Sequence, residues 1–253
     1  MSQKLAYFNC LGGASGDMIL GSMVDVGLKT EFLNSVITDL KLKDISIDAV
    51  KSNRQGVVGT KIHIEMNGQE SHRYKIRDFL QKLENSNLND HVVKKSQEIL
   101  QCIGDAESQI HNADIDSLVL HELGSLDTLI DITCSVAGIH ELDLDSVYSS
   151  ALPSGSGIVH TEHGITPVPA PVTMAIISKF NVPLKPPPEG RIDTGEMVTP
   201  TGAVLLSSIA EFDQPYMKID KLGYGLGSRN PESYPNVIGL WIGQSQSQSE
   251  SLI

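Results

Sequence analysis

His121 and Glu122 stand side by side in the stretch HELGSLDTLID, and Asp127 and Asp131 follow four residues apart. One imidazole and two or three carboxylates are sound donors for a borderline divalent metal. The same charges also suit a helix start, because Asp127 in a first turn would gain roughly 0.3–1 kcal/mol from the helix dipole. Spacing alone leaves both readings open. With Ser125 as N-cap, Leu126, Leu129, Ile130, Thr133 and Ala137 fall along one side at about 100° per residue. Asp127 and Asp131 then share the opposite, polar face within one turn.

Residues 10–18, CLGGASGDM, form a second candidate. A strand-to-helix turn built on Gly12, Gly13, Ser15 and Gly16 can present backbone N–H groups to an anion. It lacks the GK[ST] of a P-loop and the full GxGxxG of a dinucleotide fold. Asp17 at the helix start would repel a phosphate unless a cation bridged them, which favours capping or metal work. Cys10 ends the strand and could offer a thiolate. In HTEHG, a strand would send His160 and His163 to opposite faces, so His163 is the site candidate and His160 a surface residue. His63, His91, His111 and His140 lie on polar stretches and read as surface histidines. Cys102 and Cys134 fall in apolar helical patterns and read as core. Gly223, Gly225 and Gly227 permit positive φ or close backbone approach, or simply make a tight corner. Arg229 just beyond could hold an anion.

Several elements must position these residues. Residues 4–10 read as a strand, 17–27 as a helix, and 30–40 as a helix capped by Thr30. Residues 44–66 read as a hairpin, with Ile45, Ile47 and Ala49 alternating with polar residues, as do Ile62, Ile64 and Met66, and the turn chemistry at Arg54, Gly56 and Gly59. Residues 73–112 read as a helical hairpin broken near 84–90. Strand and loop follow from 146 to 160. Pro171 opens one helix; Thr199 caps another, with Pro200 at its first position. Residues 217–228 and 236–243 read as two strands. The expected fold class is α/β, a mixed α+β chain with one main core over 1–243 and the helical hairpin as an insert. Residues 244–253, QSQSQSESLI, read as a disordered tail.

The bulk composition narrows the function classes. The chain has 253 residues, 40% of them hydrophobic and 20% charged, enough to bury a core without disulfides. A net charge of −12 disfavours nucleic acid and anionic membrane as partners. Three cysteines without a CxxC, and no signal peptide, suggest a reduced cytoplasmic compartment. No apolar run approaches the ~20 residues of a membrane span.

Five motifs in a fixed order carry a resemblance: YFNCLGGASGDMILG, HELGSLDTLIDI, HGITPVPAPVTMAII, EMVTPTGAVLL, and GYGLGSR with Pro235 and Asn236. From about residue 4 to 243 they resemble the nickel insertion proteins of nickel-pincer cofactor biosynthesis, the LarC family. The resemblance implies a chelatase of the lyase class that places Ni2+ into a pyridinium bis-thiocarboxylate mononucleotide. It implies His121, Asp127, Asp131 and His163 as metal ligands and Asp17, Glu122 and Asp127 as catalytic groups. It implies Gly12, Gly13, Ser15, Gly16, Thr199, Thr201, Gly225 and Arg229 as contacts to the anionic precursor. CTP with Mg2+ or Mn2+ enters only if a separately encoded C-terminal domain acts in trans, and a homo-oligomer is a further implied partner. The chain departs from the family at Val119, usually histidine, at Asn9, usually aspartate, at Gly12, usually serine, and at Gly239, usually arginine. Only His72 stands where many members carry a histidine-rich run. A non-catalytic paralogue acting as a binding or regulatory subunit is the alternative these departures motivate, and a metal-assisted phosphoester hydrolase is a third.

Overall fold

The computed structural model describes residues 2–67, 73–120, 122–162, 164–232 and 234–246. Strand β1 (Lys4–Asn9) runs into a glycine-rich turn and helices α1 (Gly16–Asp25) and α2 (Thr30–Asp39). The hairpin β2 (Ile45–Arg54) and β3 (Val57–Met66) follows, then α3 (Ile76–Glu84) and α4 (Asp90–His111). A 3-10 turn at Glu122–Gly124 leads into α5 (Leu126–Glu141). Next come the short strands β4 (Ser146–Ser149), β5 (Leu152–Pro153), β6 (Ile158–Thr161) and β7 (Gly164–Pro167). Helix α6 (Pro171–Lys179), β8 (Leu184–Lys185), α7 (Pro200–Ile209), β9 (Met217–Leu226) and β10 (Val237–Ser245) complete the described chain. The mixed α+β class is as the sequence implies. Among the described residues, no helix is long and apolar enough to cross a membrane.

Six strands form one sheet in the order β2-β3-β9-β10-β1-β4. β1 pairs in parallel with β4, and β3 with β9, while β10 is antiparallel to both of its neighbours. Strands β1, β3, β4 and β9 therefore end at the same edge. Along β1 the pleat sends Ala6 and Phe8 into the core, and Tyr7 stacks tilted on Trp241 across the strand pair, with ring centres 5.0 Å apart. Helix α1 lies on β3, β9 and β10, and α2 on β2, with α5 packed over both helices. Helix α4 packs against α5 and also touches α3, α6 and α7.

Local chemistry explains most boundaries. Gln55 and Gly56 both have positive φ, 50° and 87°, as a two-residue hairpin turn requires. Gly59, expected in that turn, lies inside β3, where Tyr224 of β9 packs on it. Lys29, not Thr30, is the N-cap of α2, and Thr30 is its first helical residue. Thr199 caps α7 as expected, its hydroxyl accepting from the Gly202 N–H at 3.1 Å, with Pro200 following it. Pro171 likewise begins α6. β10 runs to Ser245, into the segment expected as a tail, and 247–253 lie outside the described residues.

α5 is buried over most of its surface from Leu126 through Gly138, with α1, α2, α4 and α7 packed on it. Its acidic face is partly enclosed: Asp127 is exposed, and Asp131 is half-buried with its Oδ1 covered by protein.

Candidate functional site

The shared edge of the parallel strands is where open α/β sheets gather ligands. Beyond β1 lies the glycine turn and the start of α1; beyond β9 lies the loop carrying Ser228 and Arg229. Asp17 sits in the first turn of α1 and Asp127 in the first turn of α5, each near the positive end of a helix dipole. Asp17, Asp127, Asp131 and Ser228 line one cleft of about 310 Å³, with Lys61 and His63 of β3 on its wall. Ser15 donates to Asp17 Oδ1, and Ser228 reaches Asp17 Oδ2 at 3.4 Å. Gly16 makes the approach of Asp131 feasible, because a Cβ there would stand 2.2 Å from Asp131 Oδ2.

The electrostatics of this cleft are unbalanced toward negative charge. Burial pushes the Asp131 carboxyl well above the usual carboxylate range, and the charges of Asp17 and Asp127 push it further. Burial also raises Asp127, with Asp17 adding to the effect. Asp131 Oδ1 is fully buried and has no hydrogen-bond partner among the described residues. An unpartnered buried carboxylate is costly, and a cation is the group that would satisfy it. Among the described residues, however, no three His, Cys, Asp or Glu side chains converge on a common metal-holding point. His121 and His163, the two imidazoles of the expected metal set, lie outside the described residues.

Two glycines of the first motif make close backbone approaches. A Cβ on Gly12 would meet Pro235 O at 2.3 Å, and one on Gly13 would meet Met197 O at 2.3 Å. The Gly13 N–H bonds Cys10 O and the Ala14 N–H bonds Met197 O, so neither amide is offered to a ligand. Gly225 of β9 is filled in the same way, with Met18 O of α1 only 1.7 Å from its Cβ position. These glycines bring backbones together: α1 onto the sheet, and the turn onto the segment leading to α7. Cys10 is corrected as well. It is fully buried beside Ser149, and burial raises its thiol to about 11, so it is a protonated core thiol rather than a thiolate.

Glu122, Thr199 and Thr201 face a second pocket of about 400 Å³, between the ends of α4 and α7 and the β6–β7 hairpin. Glu122 accepts the Glu162 N–H at 2.6 Å. Glu196, which the motif reading missed, shares this pocket; burial raises its carboxyl, and Arg229 nearby opposes that shift. Arg229 is exposed, with its guanidinium bonded to Thr194 O at 3.3 Å and to Tyr234 Oη at 3.4 Å. His111 and His160, read as surface residues, also line the pocket. Among the described residues, the expected site residues thus line two pockets, one at Asp17, Asp127 and Asp131 and one at Glu122, Thr199 and Thr201.

His63 and Ser228 were missed too, and their signals are faint. His63 alternates with Ile62 and Ile64 like any outward strand residue, and only the strand order brings it beside α1. The loop holding Ser228 is clamped by buried Arg54, whose guanidinium donates to Gly227 O at 2.8 and 3.1 Å. A larger cleft of about 730 Å³, where His91 and His140 approach to 5.7 Å between ring centres, holds none of the motif residues.

These features define an α+β protein that gathers carboxylates at the carboxyl ends of its parallel strands, beside an acidic, apolar-walled pocket. The chain belongs to the nickel insertion protein family, whose profile matches residues 6–253. It is 38% identical over 243 residues to a putative nickel insertion protein of Dictyoglomus thermophilum, covering 95% of this chain and 61% of the relative. It is 35% identical over 243 residues to a pyridinium-3,5-bisthiocarboxylic acid mononucleotide nickel insertion protein of Desulfitobacterium hafniense, covering 95% of this chain and 58% of that protein. A putative nickel insertion protein of Roseiflexus castenholzii is 33% identical over 249 residues, covering 98% and 61%. The chain thus spans about three-fifths of the length of these curated relatives. No solved structure matches it.

Proposed function

We propose that this chain takes up Ni2+ at the cleft of Asp17, Asp127 and Asp131 and passes it to a pyridinium-3,5-bisthiocarboxylic acid mononucleotide. The observation that carries this reading is Asp131 Oδ1, buried and without a partner among the described residues, beside two further carboxylates. A divalent ion bound there would give that oxygen the partner it lacks among the described residues. Oxygen donors hold a borderline ion such as Ni2+ less firmly than sulfur does. The thiocarboxylate sulfurs of the acceptor therefore draw the ion off the carboxylates, and transfer runs downhill. His121 and His163 are the imidazoles proposed to complete the ligand set, with Glu122 as a further carboxylate at the transfer site. The reaction so described is a metal chelation. CTP with Mg2+ or Mn2+ belongs to this reading only through a C-terminal domain acting in trans. Self-association and a cytoplasmic location are parts of the same reading.

Calorimetric titration of Ni2+ into the purified chain tests it. Micromolar binding is expected, weakened at least about tenfold, or ~1.4 kcal/mol, in Asp131→Asn and in Asp127→Asn. No heat above buffer at millimolar Ni2+, or unchanged affinity in both variants, contradicts the proposal.

A further inference from the structure

The carboxylate cleft has one ammonium group on its wall. Lys61 of β3 is half-buried there, and among the described residues no other lysine or arginine lines the cleft. Lys61 has no ion-pair partner among those residues. Its neighbour differs: Lys51, opposite Thr60 in the β2–β3 pair, is neutralised by Asp25. The charges acting on the Asp127 and Asp131 carboxyls are those of other aspartates, so the Lys61 ammonium stands apart from both. Other donors near this sheet edge are committed. Arg54 spends its guanidinium on Gly227 O and Asn53 O, and Arg229 bonds Thr194 O and Tyr234 Oη. The Gly13 and Ala14 amides are bonded within the protein. An anion entering the cleft therefore meets Lys61 as its positive partner.

The acceptor must bring an anionic sulfur to an ion held by carboxylates, which repel it. A thiocarboxylate has two unlike ends. Its sulfur is the softer donor and suits a borderline ion. Its oxygen is the better partner for an ammonium, through a charge-assisted hydrogen bond. We propose that Lys61 donates to the oxygen of one acceptor thiocarboxylate and so turns the sulfur of that group toward the ion bound at Asp17, Asp127 and Asp131. The inference rests on the metal and the acceptor of the preceding reading, and it names the residue of the same cleft that selects and orients that acceptor. Lys61 keeps its protons, and no bond to it forms or breaks. A divalent ion and the Lys61 ammonium together offset the three carboxylates, so the loaded cleft admits an anion that the empty cleft repels. Binding is therefore ordered, metal first. His63 shares this wall two residues along β3 and adds no negative charge.

Nicotinic acid mononucleotide and nicotinamide mononucleotide make the test, because they share pyridinium ring, ribose and phosphate and differ in a carboxylate against a carboxamide. Binding of each to the full chain is measured by calorimetry, with and without saturating Ni2+. With Ni2+ the acid is expected to bind at least tenfold tighter than the amide, and at least fivefold tighter than it binds the metal-free chain. Lys61→Met should cut the acid's advantage at least fivefold, Lys61→Arg should restore most of it, and neither should weaken Ni2+ binding. Equal binding of the two nucleotides, binding of neither, or an undiminished advantage in Lys61→Met overturns the inference. Should Lys61→Met fail to fold, the wild-type comparison of the two nucleotides still decides. Ni2+ titrated into the same samples separates the two claims: nickel binding without a preference for the acid removes only this inference, and no nickel binding removes the metal reading on which it rests.

Discussion

Asp131 shows how a single carboxylate can be unfavourable for the fold and useful for a site. Its burial and its two acidic neighbours raise its proton affinity in the native state. Below the ordinary carboxylate range both folded and unfolded chains hold the proton, and the effect vanishes. As pH rises the unfolded chain loses its proton first, so the native state binds more protons and stability falls with pH until Asp131 itself ionises. Asp131→Asn is therefore expected to melt a few degrees higher than wild type at neutral pH without metal, about 2–4 °C per kcal/mol for a chain of this size. The gap should close near pH 4. Thermal melts of both proteins across that pH range check it, and a variant less stable than wild type at pH 7 would remove the account of Asp131 as a strained acid. Added Ni2+ should raise the wild-type melting temperature and leave the variant nearly unmoved.

At the scale of elements, the sequence was most legible where the signal is local. The Thr199–Pro200 pair marks the start of α7 because a cap and a proline act within one turn. Gln55 and Gly56 mark the hairpin because only special φ values close it in two residues. Faces were harder to read. The helical period locates an apolar stripe but not a second layer, so the enclosure of Asp131 Oδ1 is not legible from it. The roles of the glycines were hidden for a related reason. Gly225 and Gly12 are fixed by strands and helices distant in sequence, and their spacing resembles a phosphate loop just as well. Gly225→Ala would force a methyl against the Met18 carbonyl and lift α1 from β9. A loss of roughly 3 kcal/mol or more is expected, the range of overpacked and backbone-strained sites, measured by urea unfolding. A cost under about 1 kcal/mol would show that Gly225 is not needed for that contact.

For the whole molecule, five separated motifs meet around one sheet edge, and their order along the chain identified the family before any contact was visible. What the order did not reveal was the division into a carboxylate cleft and an acidic, apolar-walled pocket, because that depends on which side of α7 and the glycine turn each side chain emerges. Glu196 and His63 become functional candidates only through strand order and loop placement. The chain spans about three-fifths of the length of its relatives. The most direct test of the central claim is nickel anomalous diffraction from crystals of the chain soaked in Ni2+. The account predicts one strong peak within bonding distance of Asp131 Oδ1 and of an oxygen of Asp17 or Asp127. Nickel found instead at Cys10, or only between His91 and His140, would contradict it.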